Sequence, residues 1–400
     1  MKDHWDTFIE INGDKVRKVV KEDIKRMINC GELSNGYAVY ECTECGETKK
    51  VAFRCKSRVC SSCGKVYVDE RADKMASKMV KSTHRHMVFT IPEELRIYFQ
   101  RERKLLSLLP QVSYEVIRLY LYEQNKSEGF VPGVVSVIHT FGRDLKWNPH
   151  VHVLVTEGGV GKKTDWRRIK YFHYGRLRKS WQKALLSGLE KAIKKKKRAY
   201  KDLKKKLYAK YQEGFYVYGE RRIKSAKEAI RYVGRYTGRP AISESRIKSY
   251  DGETVTYYYD DHESGSRIEV KESAIEFIKK VIIHIADRGF KMIRYYGIYA
   301  NRQKREVKVL KMLEERIKEE YAKLKSWRMR IVYAFGHDPL RCEKCGGKLK
   351  LKDIVYPKYG SVLEKIEERM KKEVEANVYA MQRDHAIIKE MNQGLEPLYV

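Results

Sequence analysis

Two histidines one residue apart, His150 and His152, follow Asn148-Pro149 and run into Val153-Leu154-Val155. On a β-strand successive side chains alternate faces, so this spacing points two imidazoles the same way. About eighty residues later, Tyr232 and Tyr236 flank Val233-Gly234-Arg235, and residues four apart share one helix face. Paired imidazoles can hold a divalent ion that neutralises a phosphate, and paired phenols can attack that phosphate. Together they are the minimum equipment for cutting a nucleic-acid strand through a covalent link.

A metal needs a further ligand. His139 on the preceding strand can supply it across a hairpin, with Asp144 and Glu157 as competitors. The ion is expected to be Mg²⁺ or Mn²⁺. A phenol with a pKa near 10 is a poor nucleophile at neutral pH, so charge neutralisation and in-line alignment must compensate. The phosphodiester energy is kept in the phosphotyrosine, and rejoining needs no ATP. Two tyrosines allow two such events. Arg235 and Arg239 beside them suit phosphate clamps better than a core.

Eight cysteines pose a second question. Cys42-x-x-Cys45 and Cys60-x-x-Cys63, with 14 residues between them, have the spacing of a four-cysteine Zn²⁺ site. Gly46 and Gly64 fit the turn after each knuckle. Cys55 leaves open a different fourth ligand or a second metal, and the role of Cys30 is undefined. Cys342-x-x-Cys345 has no partner pair nearby and only His337 to help. It reads as a reduced surface loop, with a second zinc as the alternative.

The 400 residues carry 85 basic and 53 acidic side chains, a net charge of +32, and the pI is near 9.6. Such an excess calls for a polyanion, and nucleic acid is the foremost candidate. No run approaches the roughly 20 apolar residues of a membrane span, and the first residues lack an apolar signal core. The expected setting is therefore cytoplasmic, with thiols serving as metal ligands rather than in disulfides. Neither a membrane nor a small-molecule substrate is expected, and a homo-oligomer is left open.

The elements that must position these groups follow from periodicity. Helix is expected over 8–30, 66–81, 93–123, 180–212 and 273–286, and strand over 87–90, 134–140 and from His150 to Val155. The last two make an antiparallel hairpin. Helix 180–212 would carry Lys195, Lys196, Lys197 and Arg198 as a phosphate-tracking face, with Tyr200, Tyr208, Tyr211, Phe215, Tyr216 and Tyr218 available to stack on bases. Ser225 and Glu228 form a capping box for the tyrosine helix, which Gly238 and Pro240 end. A second hairpin spans 253–271. Beyond Arg302 the chain reads as charged helix.

Asn148-Pro149-His150-Val151-His152-Val153-Leu154 resembles the metal motif of HUH endonucleases. Its Asn-Pro prefix, and Tyr232-Val233-Gly234-Arg235-Tyr236-Thr237-Gly238-Arg239, are similar to the two-tyrosine transposases of the insertion-sequence ninety-one family. So are Ile138-His139-Thr140-Phe141-Gly142-Arg143, the stretch His284–Gly297, and the zinc-domain run Cys55–Gly64. The resemblance implies an α+β fold: a palm-like antiparallel sheet with helices (HUH nuclease-like), preceded by a small zinc-binding module. It implies a rolling-circle transposase that nicks and transfers single-stranded DNA at element ends through tyrosine linkages, associated with the nucleoid of a bacterial or archaeal cell. The expected division is 1–80 for a helix and zinc module, 81–303 for the catalytic domain and 304–400 for a helical tail. The rivals are a replication initiator or relaxase using the same chemistry, and a non-catalytic zinc-containing DNA-binding protein.

Overall fold

The computed structural model describes residues 1–57, 59–60, 63–64, 75, 79–169, 171–193, 197–223, 228, 241–261, 264–300, 326, 328–329, 331–332 and 336–393. Contacts divide the chain into two units, one of residues 1–28 and 56–337, the other of 29–55 and 338–400. The units do not follow the linear three-part order expected from the sequence, because strand pairing joins segments from both ends of the chain.

The apolar run over 8–30 folds as two helices, α1 (Trp5–Asn12) and α2 (Lys18–Ile28). Gly13–Lys15 form a 3-10 turn and Val16 is extended, which breaks the run. Next comes the hairpin of β1 (Tyr37–Cys42) and β2 (Thr48–Ala52), then β3 (His84–Thr90). The expected helix over 93–123 is also two, α3 (Glu93–Arg101) and α4 (Leu108–Gln124). A 3-10 segment, Arg103–Ser107, separates them and buries Leu105 and Leu106. Strands β4 (Gly133–Phe141) and β5 (Trp147–Thr156) form the expected hairpin. A short ladder of β6 (Gly158–Gly159) and β7 (Arg167–Arg168) follows.

The single helix expected over 180–212 is instead α5 (Tyr174–Ala192) and α6 (Lys197–Lys210). Ile193 is extended at the end of α5. The two helices run antiparallel: Tyr200 donates to the Leu186 carbonyl, and Gln182 to the carbonyls of Leu207 and Tyr211. Each carries an apolar stripe too short to bury itself alone, and folding back buries both. The expected basic run falls at this reversal. Lys195 and Lys196 lie outside the described residues, as does the Lys197 side chain; Arg198 is exposed.

Strand β8 (Val217–Ile223) returns the chain to the β3 edge. The second hairpin gains a third strand, giving β9 (Ile247–Tyr250), β10 (Thr254–Asp260) and β11 (Arg267–Ser273). Helix α7 (Ala274–Ile282) is capped by the Ser273 side chain, which accepts from the Glu276 N–H. It packs with α1 and α2 around Phe8, Ile24 and Ile278. The β12 strand (Ile293–Gly297) completes the main sheet. Finally β13 (Leu349–Tyr356), β14 (Gly360–Ser361) and α8 (Val362–Gln393) close the chain.

The main sheet has the order β12-β4-β5-β3-β8, with antiparallel neighbours throughout. Its odd positions on β5, Val151, Val153 and Val155, are fully buried against residues of α3, α4, α5 and α6. Each such side chain contributes roughly 1.5–3 kcal/mol by burial. The fold is therefore α+β, with helices covering one face. Period-two alternation then forces His150 and His152 onto the opposite face. The smaller sheet has the order β14-β13-β1-β2.

Candidate active site

Register builds the histidine cluster. His139 on β4 lies directly opposite His150 on β5, and Val137 opposite His152. On the other side Thr90 and Val88 of β3 face His150 and His152. One ligand nitrogen each from His139, His150 and His152 falls within a 4.8 Å group. The His150 and His152 Nε2 atoms are 3.0 Å apart. His150 Nδ1 lies 2.7 Å from the Asn148 carbonyl, which can only accept. That nitrogen therefore carries a proton, and in the neutral ring Nε2 keeps its lone pair. The Asn148-Pro149 step before the strand thus fixes the tautomer of His150.

His86 completes the arrangement and was not singled out by the sequence. Its Nε2 is 3.0 Å from His152 Nδ1, with the rings stacked at 5.3 Å. It orients His152 from behind, as a histidine ligand's second nitrogen usually requires. The signal was present in the sequence as His84-Arg85-His86 beside a strand pattern, but pairing it with His152 needs the β3–β5 register.

Burial disfavours the charged form of His86, His150 and His152. Desolvation, and then the charge of His150, pushes His86 down to about 3. Burial also holds His152 far below its ordinary value, helped by His139, His150 and His86, and lowers His150. Uncharged imidazoles cannot clamp phosphate by themselves, but they present lone pairs. The competitors stand elsewhere. Glu157 is buried and ion-paired with Arg85, and Asp144 accepts from the Lys146 N–H.

His284 is also buried on this side of the chemistry. One ring nitrogen meets the Thr140 hydroxyl and the other the Leu145 carbonyl, and the ring stacks on Trp147. These contacts pin the β4–β5 turn rather than join the cluster.

The cysteines are partnered differently from the expected set of Cys42, Cys45, Cys60 and Cys63. Cys42 and Cys45 group with Cys342 and Cys345, again within 4.8 Å. The reason is strand pairing: β1 runs antiparallel to β13, with Cys42 opposite Leu349. Cys342-x-x-Cys345 is thus no partnerless loop, and Cys342 is buried. The N–H groups of Cys45 and Glu44 pull the Cys42 thiol down to about 7. Against the Gly347 N–H, the Cys45 and Cys42 sulfurs push Cys345 up to about 12. Of the other four cysteines, Cys30 and Cys55 belong to the smaller unit and Cys60 and Cys63 to the larger. Cys60 and Cys63 are buried, and the Cys55 N–H points at Cys30 Sγ, 3.4 Å away.

Residues 133–306 match the family model described as "Putative transposase", and residues 1–91 match the "Transposase zinc-binding domain". The transposase for insertion sequence element IS801 of Pseudomonas savastanoi pv. phaseolicola is 29% identical over 359 residues, covering 86% of each chain. The chain belongs to the insertion-sequence ninety-one family of transposases. A protein of Sinorhizobium fredii (strain NBRC 101917 / NGR234) called "Putative transposase y4qJ" is 28% identical over 290 residues, 68% of this chain and 72% of that one. No solved structure matches.

The histidine cluster of this transposase lies inside the matched 133–306 span, and His86 lies inside 1–91. Tyr232, Tyr236, Arg235 and Arg239 fall outside the described residues. On the described part of the same sheet face, edge strand β8 and the residue before it expose Tyr218 and Tyr216 while Phe215 and Val217 are buried. Their rings stack at 6.0 Å, and the Arg178 guanidinium sits over Tyr216. Among the described residues no helix is long and apolar enough to cross a membrane.

Proposed function

We propose that this transposase nicks and transfers single-stranded DNA at the ends of its insertion sequence through 5′-phosphotyrosine links, in a rolling-circle reaction of the HUH endonuclease kind. The observation that carries the reading is the convergence of His139, His150 and His152 on one sheet face, in a chain of this family. The donor set fits a divalent metal: three imidazoles converge, and the Nδ1 protons of His150 and His152 are taken up elsewhere, by the Asn148 carbonyl and by His86. Nitrogen donors favour a first-row ion such as Mn²⁺ over Mg²⁺, which prefers oxygen.

Such an ion, when bound, would neutralise charge on the scissile phosphate and align it for in-line attack. The chain's own groups do the rest. Tyr232 or Tyr236 gives up its phenol proton and bonds through Oη to phosphorus. The P–O3′ bond breaks, and O3′ leaves as a hydroxyl after taking a proton. Arg235 and Arg239 would hold the phosphate oxygens. Row alignment supports a single-stranded substrate: Tyr218 pairs with Val88, which pairs with His152. The Tyr216–Tyr218 stack therefore lies on the histidine face two strands away, roughly 10 Å, where unpaired bases could rest on it. Structural zinc would be held by cysteines of the zinc-binding domain and would shape the recognition module.

The test incubates the protein with Mn²⁺ and single-stranded oligonucleotides from the element's ends. A denaturation-resistant adduct is expected, and it should vanish in the double variant Tyr232→Phe/Tyr236→Phe. Tight, salt-sensitive binding with no adduct from the wild-type chain would sink the catalytic reading.

A further inference from the structure

Cys342 and Cys345 lie beyond both spans that match known families, which end at residues 91 and 306. They nevertheless sit in a built site. Cys42 Sγ is 3.4 Å from Cys345 Sγ, and Cys45 Sγ is 3.7 Å from Cys342 Sγ. A tetrahedron with Zn–S bonds of about 2.3 Å has sulfur–sulfur edges of about 3.8 Å. The observed separations are close to those edges and far from a disulfide bond of about 2.0 Å.

The two knuckles are built alike. The Cys42 N–H donates to the Glu47 carbonyl and the Gly46 N–H to the Cys42 carbonyl; the Cys342 N–H donates to the Gly347 carbonyl and the Gly346 N–H to the Cys342 carbonyl. Gly46 and Gly346 turn the chain at φ 70° and 78°, a left-handed conformation that side chains resist. Backbone N–H groups aim at the sulfurs: Glu44 and Cys45 at Cys42, and Gly347 at Cys345. Such donors stabilise thiolates, the form that binds metal. Cys42, Cys342 and Leu349 pack together beneath, and Lys49, Lys344 and Lys352 ring the site in ion pairs with Glu343, Glu47 and Glu41.

We propose that Cys42, Cys45, Cys342 and Cys345 bind one zinc ion as a tetrathiolate, so that the C-terminal segment completes a zinc ribbon begun near the N-terminus. Residues 37–52 supply one half of this ribbon and 342–356 the other. The ligand set is complete only after residue 345 has been synthesised, so the N-terminal knuckle cannot close on its own ion while the catalytic sheet is being made. Zinc here ties the tail to the module that precedes the sheet, independently of whether the tyrosines cut DNA.

Zinc content of the full chain, measured after acid release, tests this without reading activity. Cys342→Ser/Cys345→Ser and Cys42→Ser/Cys45→Ser should each lose one ion per chain, and combining the four substitutions should lose no more. Cys60→Ser/Cys63→Ser should lose a different ion, so its combination with Cys42→Ser/Cys45→Ser loses two. Unchanged zinc in Cys342→Ser/Cys345→Ser overturns the proposal, as does a wild-type chain that takes up no zinc. Should the variants not fold, the wild-type chain decides. On the zinc-loaded wild-type chain a thiol alkylator should spare Cys42, Cys45, Cys342 and Cys345 together, and chelation should expose all four at once. Rapid alkylation of Cys342 and Cys345 in the zinc-loaded chain would equally overturn it.

Discussion

The histidine cluster and the knuckle sheet are two ligand sets built by opposite routes. His139, His150 and His152 come from one hairpin, and their sheet is held by a large apolar core on its other face. Cys42, Cys45, Cys342 and Cys345 come from segments some three hundred residues apart, around a core of Cys42, Cys342 and Leu349. The first site is preorganised by a fold that stands without it. The second has little apolar support, so its metal and its fold should be one transition.

The largest effect should separate the two directly. Removing zinc with a chelator should melt β1, β2 and β13, since structural zinc contributes on the order of 10 kcal/mol. Hydrogen exchange should show those strands opening while β3, β4 and β5 stay protected. His152→Ala should do the reverse: protection throughout the fold is kept, while Mn²⁺-dependent adduct formation drops by about 10³-fold or more. A His152→Ala variant that loses protection in β3 to β5 would break the comparison.

A smaller effect concerns acid. Burial pushes His84 and His284 down to about 4 each. Between the unfolded value near 6.5 and the folded value, the unfolded chain binds protons that the folded chain refuses. Stability contributed by the neutral rings is full above about 6.5, falls as pH drops toward 4, and levels off below it. The cost is roughly 3 kcal/mol per ring. Urea midpoints from pH 7.5 to 4.5, taken on zinc-chelated protein to isolate the main sheet, should show this slope, and His84→Gln should flatten part of it. A midpoint that rises on acidification would contradict the assignment.

The smallest effect sharpens what holds the knuckle sheet. Lys352 and Glu41 are paired at 2.9 Å, but each side chain is more than a third exposed. Lys352→Ala should cost below about 0.5 kcal/mol, read as a shift in zinc-loaded thermal midpoint of a degree or two at most. A larger loss would mean that the rim, rather than the thiolates, carries the sheet.

These two sites also mark how far the sequence could be read. The period-two pattern through His150 and His152 and the preceding apolar run at 134–140 were local, and a hairpin converts local pattern into contact. Helix breaks at Val16, at Arg103–Ser107 and after Ala192 were not legible, because apolar periodicity runs on across them; burial of Leu105 and the α5–α6 packing decide where the chain turns. His86 was invisible as an orienting group because its partner depends on β3–β5 register.

What the sequence determined by itself was the chemistry available: imidazoles on one strand face, a basic chain suited to a polyanion, and CxxC knuckles suited to zinc. The tertiary structure alone decided partnership. CxxC spacing tells that two thiolates share a knuckle, but it carries no information on which other knuckle faces them. The nearest in sequence, Cys60 and Cys63, was the natural expectation; β1–β13 pairing brought Cys342 and Cys345 instead. A metal is indifferent to the length of chain between its ligands, and strand pairing fixes which of them meet.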